Sequence, residues 1–366
     1  MINIGITGIE GLIGWHLHAF LYKQPNVQVV KANRATFASK EELYNFVASS
    51  DVVVHLAGMN RGDENDVAET NIRLADDLIA ACERSGSKPH IVFASSTQIY
   101  RNTVYGNSKK VCTEGFQKWS ERTGALFTNM ILPNVFGESG KPFYNSVVST
   151  FCYQLANGQE PEIVNDTTLD MLHAQQVANK IYDIINTRKA GDVLLKGTHI
   201  TVSELLAKLK NFAGLYEQHI IPDLRDDFNL HIFNTYRSYL YPTRYPVPIV
   251  SHNDSRGTLF EAVKSSNGGQ TFISTTRPGV TRGNHYHTKK IERFLVLSGQ
   301  AEICIRKLFS SNVVKFNVEG TTPQYIDIPT LHSHNITNTG RNDLITLFWS
   351  NEILDPAYPD TFVETV

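Results

Sequence analysis

The feature that most constrains this chain is a change of periodicity about two-thirds of the way along it. Before that point, short apolar runs alternate with stretches of helical spacing. Residues 2–7, 27–31, 51–56, 90–94 and 127–132 read as strands, and stretches such as 14–22 and 71–84 read as helices between them. A strand that returns through a helix pairs in parallel with its predecessor, so this half predicts a doubly wound parallel sheet. Residues 234–252 differ in texture. Four Tyr and three Pro fall within 236–248, the pattern of a packed, semi-rigid connector. After Asp254 no convincing helix remains. Residues 271–275, 293–297, 301–306, 313–318, 324–328 and 344–349 read as short strands broken by Gly and Pro turns, which predicts an all-β jelly roll or barrel. A length of 366 residues is long for one core, and the expected domains are 1–245 and 252–366.

The turn Gly8-Ile9-Glu10-Gly11-Leu12-Ile13-Gly14 sits between the first strand and the first helix. Gly8 permits the tight turn, Gly11 lets the backbone approach a pyrophosphate, and Gly14 allows close helix–strand packing. The helix start at Gly11, Leu12 and Ile13 then faces the phosphates. At the end of the second strand a carboxylate would bind a free ribose 2′-OH, but the chain reads Lys31-Ala32-Asn33-Arg34. Arg34 suits a 2′-phosphate, so NADP(H) is favoured over NAD; a surface arginine without a ligand is the competing reading. The small residues of Leu56-Ala57-Gly58 would let the nicotinamide half lie close to the backbone. Tyr105 and Lys109, at i and i+4, share a helix face. A nearby ammonium stabilises a phenolate, lowering the Tyr pKa so that Tyr105 shuttles a proton, while Ser96 hydrogen-bonds the same substrate oxygen.

Taken together, these residues resemble the extended short-chain dehydrogenase/reductase family over roughly residues 1–245. Thr70-Asn71-Ile72 and Pro133-Asn134-Val135-Phe136-Gly137 fit the extended branch, whose members mostly act on nucleotide sugars. The resemblance adds Asn71 to the cofactor contacts. Where that branch often has an Arg, three residues before Asn134, this chain has Ile131. His16, His18, His55 and His173 offer no comparable spacing and read as packing or surface histidines.

Residues 279–338 carry a metal-ligand pattern. Gly279 is followed by His285, Tyr286, His287, Glu292 and Gly299, and downstream lie Pro329, His334 and Asn338. Two His at i and i+2 of an extended segment point to one face, and a carboxylate with a distant His closes a compact N/O site. The spacing resembles the paired motifs of the cupin superfamily. One departure is Leu331, where a Gly usually follows the Pro by two residues; it bears on the turn rather than on His334. Three imidazoles and one carboxylate suit zinc, although nickel, manganese or iron could occupy the set. A structural ion pinning two sheets is the alternative to a catalytic one. Tyr286 should face away from the ion. His332 would share the face of His334 if extended, as a base or accessory contact.

Composition excludes several partners. The chain is 41% hydrophobic and 19% charged with a net charge of −2, which points to neither nucleic acid nor a membrane surface. No apolar run approaches the roughly 20 residues of a span. Residues 1–8 run straight into a strand with no basic stretch, so no signal peptide is expected. The four Cys, at 82, 112, 152 and 304, form no Cys-x-x-Cys pair and read as reduced thiols. Together these point to the cytoplasm.

Further segments extend the resemblance. Asp254-Ser255-Arg256-Gly257 with Phe260 and Glu261 is similar to the entry of the sugar-epimerase cupins. Residues 55–61, Tyr144-Asn145-Ser146-Val147, Gly283-Asn284-His285 and the tail through Pro359-Asp360-Thr361 resemble a family of bifunctional capsular polysaccharide enzymes over essentially the whole length. That resemblance implies a Rossmann-type sheet followed by a cupin jelly-roll barrel, assembled as a homodimer. It implies a UDP-activated 4-keto-6-deoxy amino sugar as substrate. The cupin would epimerise C3 with the help of zinc, and the reductase would reduce C4 with NADPH. A single-function reductase with a structural metal-bound dimerisation module is the alternative, as is a lone metal enzyme on a nucleotide-binding scaffold.

Overall fold

The computed structural model describes all of residues 1–366. The chain forms two compact units, residues 1–150 with 163–202 and residues 151–162 with 203–366. No helix is long and apolar enough to cross a membrane.

The first unit is built on six parallel strands. These are β1 (Ile2–Thr7), β2 (Val27–Ala32), β3 (Val52–His55), β4 (His90–Ser96), β5 (Phe127–Leu132) and, later, β8 (Gly191–Leu194), in the order β2-β1-β3-β4-β5-β8. The crossovers are α1 (Leu12–Leu21), α2 (Arg34–Ala38), α3 (Lys40–Ala48), α4 (Glu64–Ser85), α5 (Val104–Thr123) and α7 (Ala174–Asn186). Val53, Ile91 and Phe93 face one core with Leu78, Phe116 and Trp119, whereas Ile4, Ile6, Val54 and Val92 face another with Leu17, Ile181 and Ile184. Both faces of the sheet are therefore covered, which is why its strands are apolar without alternation. The strand order reverses between β1 and β3. Crevices outside the carboxyl ends of strands at such a reversal are where doubly wound folds bind ligands. A small sheet of β6 (Asn134–Phe136), β7 (Thr168–His173) and β9 (Thr198–Thr201) lies in the same unit.

In the second unit, helices α8 (Val202–Glu217) and α9 (Asp227–Leu240) precede the barrel; α6 (Val147–Ala156) and β10 (Ile220–Ile221) complete the elements before it. One antiparallel sheet has the order β11-β20-β17-β22-β15, made of Val247–Pro248, Gln324–Ile328, Glu292–Ser298, Leu344–Ser350 and Gln270–Thr276. The other has the order β19-β18-β21-β16-β23, made of Val313–Glu319, Gln300–Lys307, His332–Asn338, Thr281–Tyr286 and Phe362–Val363. Their inner faces meet in a core of Phe294, Val296, Ile303, Ile326, Ile336 and Phe348. A hairpin of β12 (Ser251–Asp254) and β13 (Gly257–Phe260) and the short β14 (Lys264–Ser265) lie ahead of the barrel. All six strands expected after Asp254 are present, and β13, β14, β16, β21 and β23 are added to them.

Residues 234–240, expected as part of a connector, are the second half of α9. Phe233, Tyr236, Arg237 and Leu240 fall at helical spacing and are all buried, so Tyr236 belongs to a buried stripe on a helix. The expected boundary at 245–252 marks a change of element type, whereas the compact units divide at 150, 162 and 202. A buried polar network explains why residues 203–245 group with the barrel. Arg293 clasps Asp327 through Nε and Nη2 at 2.6 and 2.8 Å, and Tyr216 of α8 donates to Asp327 Oδ2 at 2.5 Å. Arg237 of α9 donates to the Ile328 carbonyl at 2.8 Å, and Asn234 to that of Lys289 at 2.8 Å.

Burial works to raise the Asp327 carboxyl, and the Arg293 charge and hydrogen bonds outweigh it, holding it below the usual range. A carboxyl held low contributes stability that is full above its unfolded value, about pH 4, and is lost as pH falls through the folded value. Arg293→Met strands Asp327 as an uncompensated buried charge. It should lower stability by about 3–5 kcal/mol in urea unfolding, whereas pairing it with Asp327→Leu should recover most of that loss.

Candidate functional site

Local backbone geometry builds the dinucleotide site. Gly8 has φ +68°, and a Cβ there would lie 2.7 Å from the Ala57 nitrogen. At Gly14 a Cβ would lie 2.2 Å from the Gly8 carbonyl oxygen, so α1 packs against the turn at a distance only glycine allows. Gly11 is the N-cap of α1 with extended backbone and supplies no side-chain cap, leaving the first N–H groups of α1 open towards the crevice. Leu56 and Ala57 donate to Thr7 Oγ1 at 3.1 and 3.0 Å, which leaves the Thr7 hydroxyl to donate to His55 Nδ1 at 2.8 Å. His55 is thereby a packing residue, and burial, with the Lys109 charge, pushes it down to about 3. Gly58 is constrained as well, because a Cβ would come within 2.8 Å of Asn71 Oδ1. The Asn71 amide clamps Met59, accepting from its nitrogen at 2.7 Å and donating to its oxygen at 2.9 Å. Asn71 therefore shapes the loop after β3. Arg34 is exposed beyond the carboxyl end of β2, following Asn33, whose side chain accepts from Thr36 N at 3.2 Å.

The catalytic candidates gather at the same end of the sheet. A Cβ on Gly106 would meet the Gln98 carbonyl at 2.2 Å, so the first turn of α5, bearing Tyr105, sits directly on the turn that follows Ser96. Ser96 Oγ accepts from Gln98 N at 3.2 Å. Lys109 is buried, donates to the Ala94 carbonyl at 2.9 Å, and lies 5.8 Å from the centroid of the Tyr105 ring. The spacing predicted a lowered Tyr pKa, and the structure shows the opposite. Burial pushes the Tyr105 phenol up to about 12 and the Lys109 ammonium down to about 8. Desolvation of the phenolate outweighs an ammonium at that distance, one that is itself weakened.

Elsewhere in this unit, His16 and His173, read as packing histidines, are buried around Glu138, a carboxylate the spacing did not point to. His173 Nε2 lies 3.0 Å from Glu138 Oε2, and His16 Nε2 lies 3.1 Å from the Glu138 carbonyl. Burial works to raise Glu138, but His173 and His16 outweigh it and hold it low.

The metal candidates converge. His285 comes from β16, His287 from just beyond its end, Glu292 from the start of β17 and His334 from β21, so the group joins the two sheets. The Nε2 atoms of His287 and His334 each lie 3.2 Å from Glu292 Oε2, and that of His285 lies 3.8 Å away. All four ligand atoms fall within 4.8 Å of one another. His287 Nδ1 donates to the Asp360 carbonyl at 2.6 Å and His334 Nδ1 to that of His332 at 3.2 Å, which turns both Nε2 lone pairs inward. Burial holds His334 down to about 4, so it is a neutral acceptor. Burial works to lower His287 and to raise Glu292, but their contact outweighs it, raising His287 and holding Glu292 well below the usual carboxylate range. The buried carboxylate therefore calls for positive charge, which a divalent cation among the four ligand atoms would supply. Tetrahedral bonds of about 2.0–2.2 Å place ligand atoms ~3.3–3.6 Å apart, close to the spacing here. The donor set fits zinc.

Tyr286 is buried against Phe362, facing away from the cluster as expected. His332 does not join the cluster. Its Nδ1 donates to the Thr330 carbonyl at 2.8 Å and its ring packs 5.1 Å from Tyr241. Leu331 itself, with φ +59°, takes up the conformation that the usual Gly would adopt. The Asp360 tail, quoted in the sequence only as a likeness, proves to touch the metal loop. Nothing in its spacing pointed there.

Residues 4–196 match the NAD dependent epimerase/dehydratase family, and residues 252–362 match the Polysaccharide biosynthesis C-terminal domain. The crystal structure of the capsular polysaccharide assembling protein CapF from Staphylococcus aureus is 31% identical over 100% of both chains, with a TM-score of 0.66. The chain belongs to the CapF family. A CapF structure with the inhibitor 3-isopropenyl-tropolone is 29% identical over 100% of both chains, with a TM-score of 0.60. A Pseudomonas aeruginosa protein, UDP-2-acetamido-2,6-beta-L-arabino-hexul-4-ose reductase, is 29% identical over 100% of this chain and 99% of its own. The epimerase/dehydratase match makes this CapF relative a nicotinamide-dependent enzyme, and the expected pairing of a Rossmann-type sheet with a cupin-type barrel stands.

Leu331 separates two costs. Left-handed backbone costs a non-glycine residue about 1–2 kcal/mol, whereas removing a buried leucine side chain costs about 2–5 kcal/mol. Leu331 is only 2% exposed. Leu331→Gly should therefore lower the thermal unfolding midpoint despite relieving the backbone.

Proposed function

We propose that this chain processes a UDP-activated 4-keto-6-deoxy amino sugar twice, by C3 epimerisation in the barrel unit and by NADPH-dependent C4 reduction in the parallel-sheet unit. The product would be of the UDP-2-acetamido-2,6-dideoxy-L-talose type, on the way to UDP-N-acetyl-L-fucosamine for capsule or O-antigen, made in the cytoplasm. The observation that carries this reading is the full-length likeness to a protein named as a UDP-linked hexul-4-ose reductase.

The chemistry of the side chains supports it. When bound, the nicotinamide supplies hydride to the C4 carbon. A ketone that receives hydride needs a proton at its oxygen, and a phenol pushed up to about 12 carries that proton throughout the neutral range. Tyr105 donates to the C4 oxygen, Ser96 hydrogen-bonds the same oxygen, and Lys109 supports the phenolate left behind. The 4-ketone also acidifies C3–H, so one functional group serves both steps, and reduction ends the reversible epimerisation. A divalent ion held by His285, His287, Glu292 and His334 would supply Lewis acidity beside an enolate oxygen. The tropolone bound by a CapF relative has adjacent carbonyl and hydroxyl oxygens, a chelating pair suited to such a centre. A homodimer is in keeping with the exposed Phe272 and Ile273 on edge strand β15 and with the exposed Leu259 on the β12–β13 hairpin.

A second reading has its own support. Four protein ligands complete a tetrahedral ion and leave no open position, which is the pattern of structural zinc. In that case the barrel would be a metal-pinned dimerisation module on a single-function reductase.

NMR of the UDP-4-keto sugar in D2O, with and without NADPH, separates the two readings. Tyr105→Phe should cut NADPH oxidation by ~100-fold or more while C3 deuterium exchange persists. His334→Ala should lose its metal and C3 exchange while remaining folded; exchange that survives verified metal loss would leave the structural reading. Arg34→Ala should weaken NADPH binding by ~10–100-fold, the worth of a charge-assisted contact of about 1.5–3 kcal/mol, and leave NADH binding nearly unchanged. Equal affinity of the unaltered protein for both cofactors would defeat the NADPH assignment.

A further inference from the structure

We propose that Asp360, from the C-terminal tail, is the positioning residue of the metal centre, fixing both the ring of His287 and the loop that follows it; this rests on the metal reading given above. His287 lies one residue beyond the end of β16, and its backbone carbonyl accepts from Leu331 N at 2.7 Å, which leaves the direction of its ring to be set by a side contact. What holds the ring is residue 360, 73 positions away in sequence. The Asp360 carbonyl accepts from His287 Nδ1 at 2.6 Å, which selects the Nδ1–H tautomer and turns Nε2 towards Glu292.

The Asp360 carboxylate secures the loop. Its Oδ1 accepts from Thr288 N at 3.0 Å and from Thr288 Oγ1 at 2.6 Å. Its Oδ2 accepts from Lys289 N at 2.9 Å and from Lys290 N at 2.8 Å. Three consecutive backbone N–H groups and a hydroxyl around one carboxylate make a charge-assisted nest. Both carboxylate oxygens are spent on residues 288–290, so Asp360 is not a ligand; it acts through His287.

The tail is registered so that residue 360 falls at this place. Strand β23 pairs with β16 at His285↔Val363 and Tyr286↔Phe362, and the Phe362 ring stacks on Tyr286 at 5.2 Å. Lys290 Nζ donates to the Pro359 carbonyl at 2.7 Å and to Thr361 Oγ1 at 3.3 Å, gripping the tail on either side of Asp360. Asp360 itself adopts φ +42°, a left-handed backbone that Asp and Asn accept more readily than other side chains. Outer partners that fix the orientation and tautomer of a ligating histidine typically contribute 10–100-fold to metal affinity, and Asp360 does so with its backbone and its side chain at once.

The test is zinc affinity of the full-length protein, measured by competition with a chromogenic chelator well below the unfolding temperature. Asp360→Gly accommodates the left-handed backbone, keeps the carbonyl that faces His287 and removes only the carboxylate. It should bind zinc ~10–100-fold more weakly. Asp360→Asn keeps one acceptor oxygen and should fall between Asp360→Gly and the unaltered protein. A merely structural role would lower the melting temperature and leave the affinity of the folded protein unchanged. NADPH binding, which belongs to the other unit, should not move in either variant. Zinc affinity of Asp360→Gly within twofold of the unaltered protein overturns the proposal, and should that variant not fold, an unchanged affinity of Asp360→Asn does the same. His334→Ala is the control for the metal reading itself: unaltered protein that binds zinc no tighter than His334→Ala removes the metal centre, and this inference with it.

Discussion

The second unit depends on the buried pair of Arg293 and Asp327, opposite each other on neighbouring strands. Strand β17 begins with Glu292 and Arg293, and successive residues of a strand face opposite ways. Glu292 therefore looks into the barrel towards three histidines, while Arg293 looks outward towards Asp327 and the tyrosines around it. The Arg293 guanidinium lies 3.5 Å from the centroid of the Tyr325 ring, and Tyr216 bridges Asp327 to the Tyr245 hydroxyl at 2.7 Å. One strand thus carries the anchor of the helices on one face and, on the other, the carboxylate that meets the three histidines. A slip of one residue would exchange the two faces and destroy both.

In the parallel-sheet unit, burial sets which form of a titratable group is favoured. A phenol beside an ammonium could be prepared to lose its proton or to keep it. Lys109 is buried and Tyr105 half-buried, and the cost of desolvating charge favours the neutral form of each. A protonated phenol suits the reductive direction, in which the ketone oxygen must gain a proton. The Thr7–His55 contact and the Asn71 clamp have no such chemistry. They hold the loop after β3 in the shape that Gly8 and Gly58 leave room for.

Much of this was legible in the chain. Gly8, Gly11 and Gly14 stand where the tight turn and close packing require them, and the apolar runs mark all five early strands. The cluster of His285, His287, Glu292 and His334 was readable because residues able to bind a metal are of few types and strand geometry fixes their spacing. Local pattern misled where a longer-range contact prevailed. Tyrosines and prolines at 236–248 suggested a connector, yet Phe233, Tyr236, Arg237 and Leu240 make a buried helical stripe. His332 shares the parity of His334, but the Thr330 carbonyl and the Tyr241 ring engage it instead.

The sequence by itself determined the two architectures and the identity of most reactive groups, because periodicity, glycine placement and ligand type are properties of neighbouring residues. Only the tertiary structure decided how those groups are tuned. The protonation of Tyr105 follows from how deeply α5 is buried against the sheet. The union of α8 and α9 with the barrel follows from Asp327 and the Ile328 carbonyl, far along the chain from the helices. The inward lone pair of His287 follows from the Asp360 carbonyl, 73 residues along the chain. Each of these is set by electrostatics between groups brought close in space, and the periodicity of a chain records which way a residue faces, not what it will meet there.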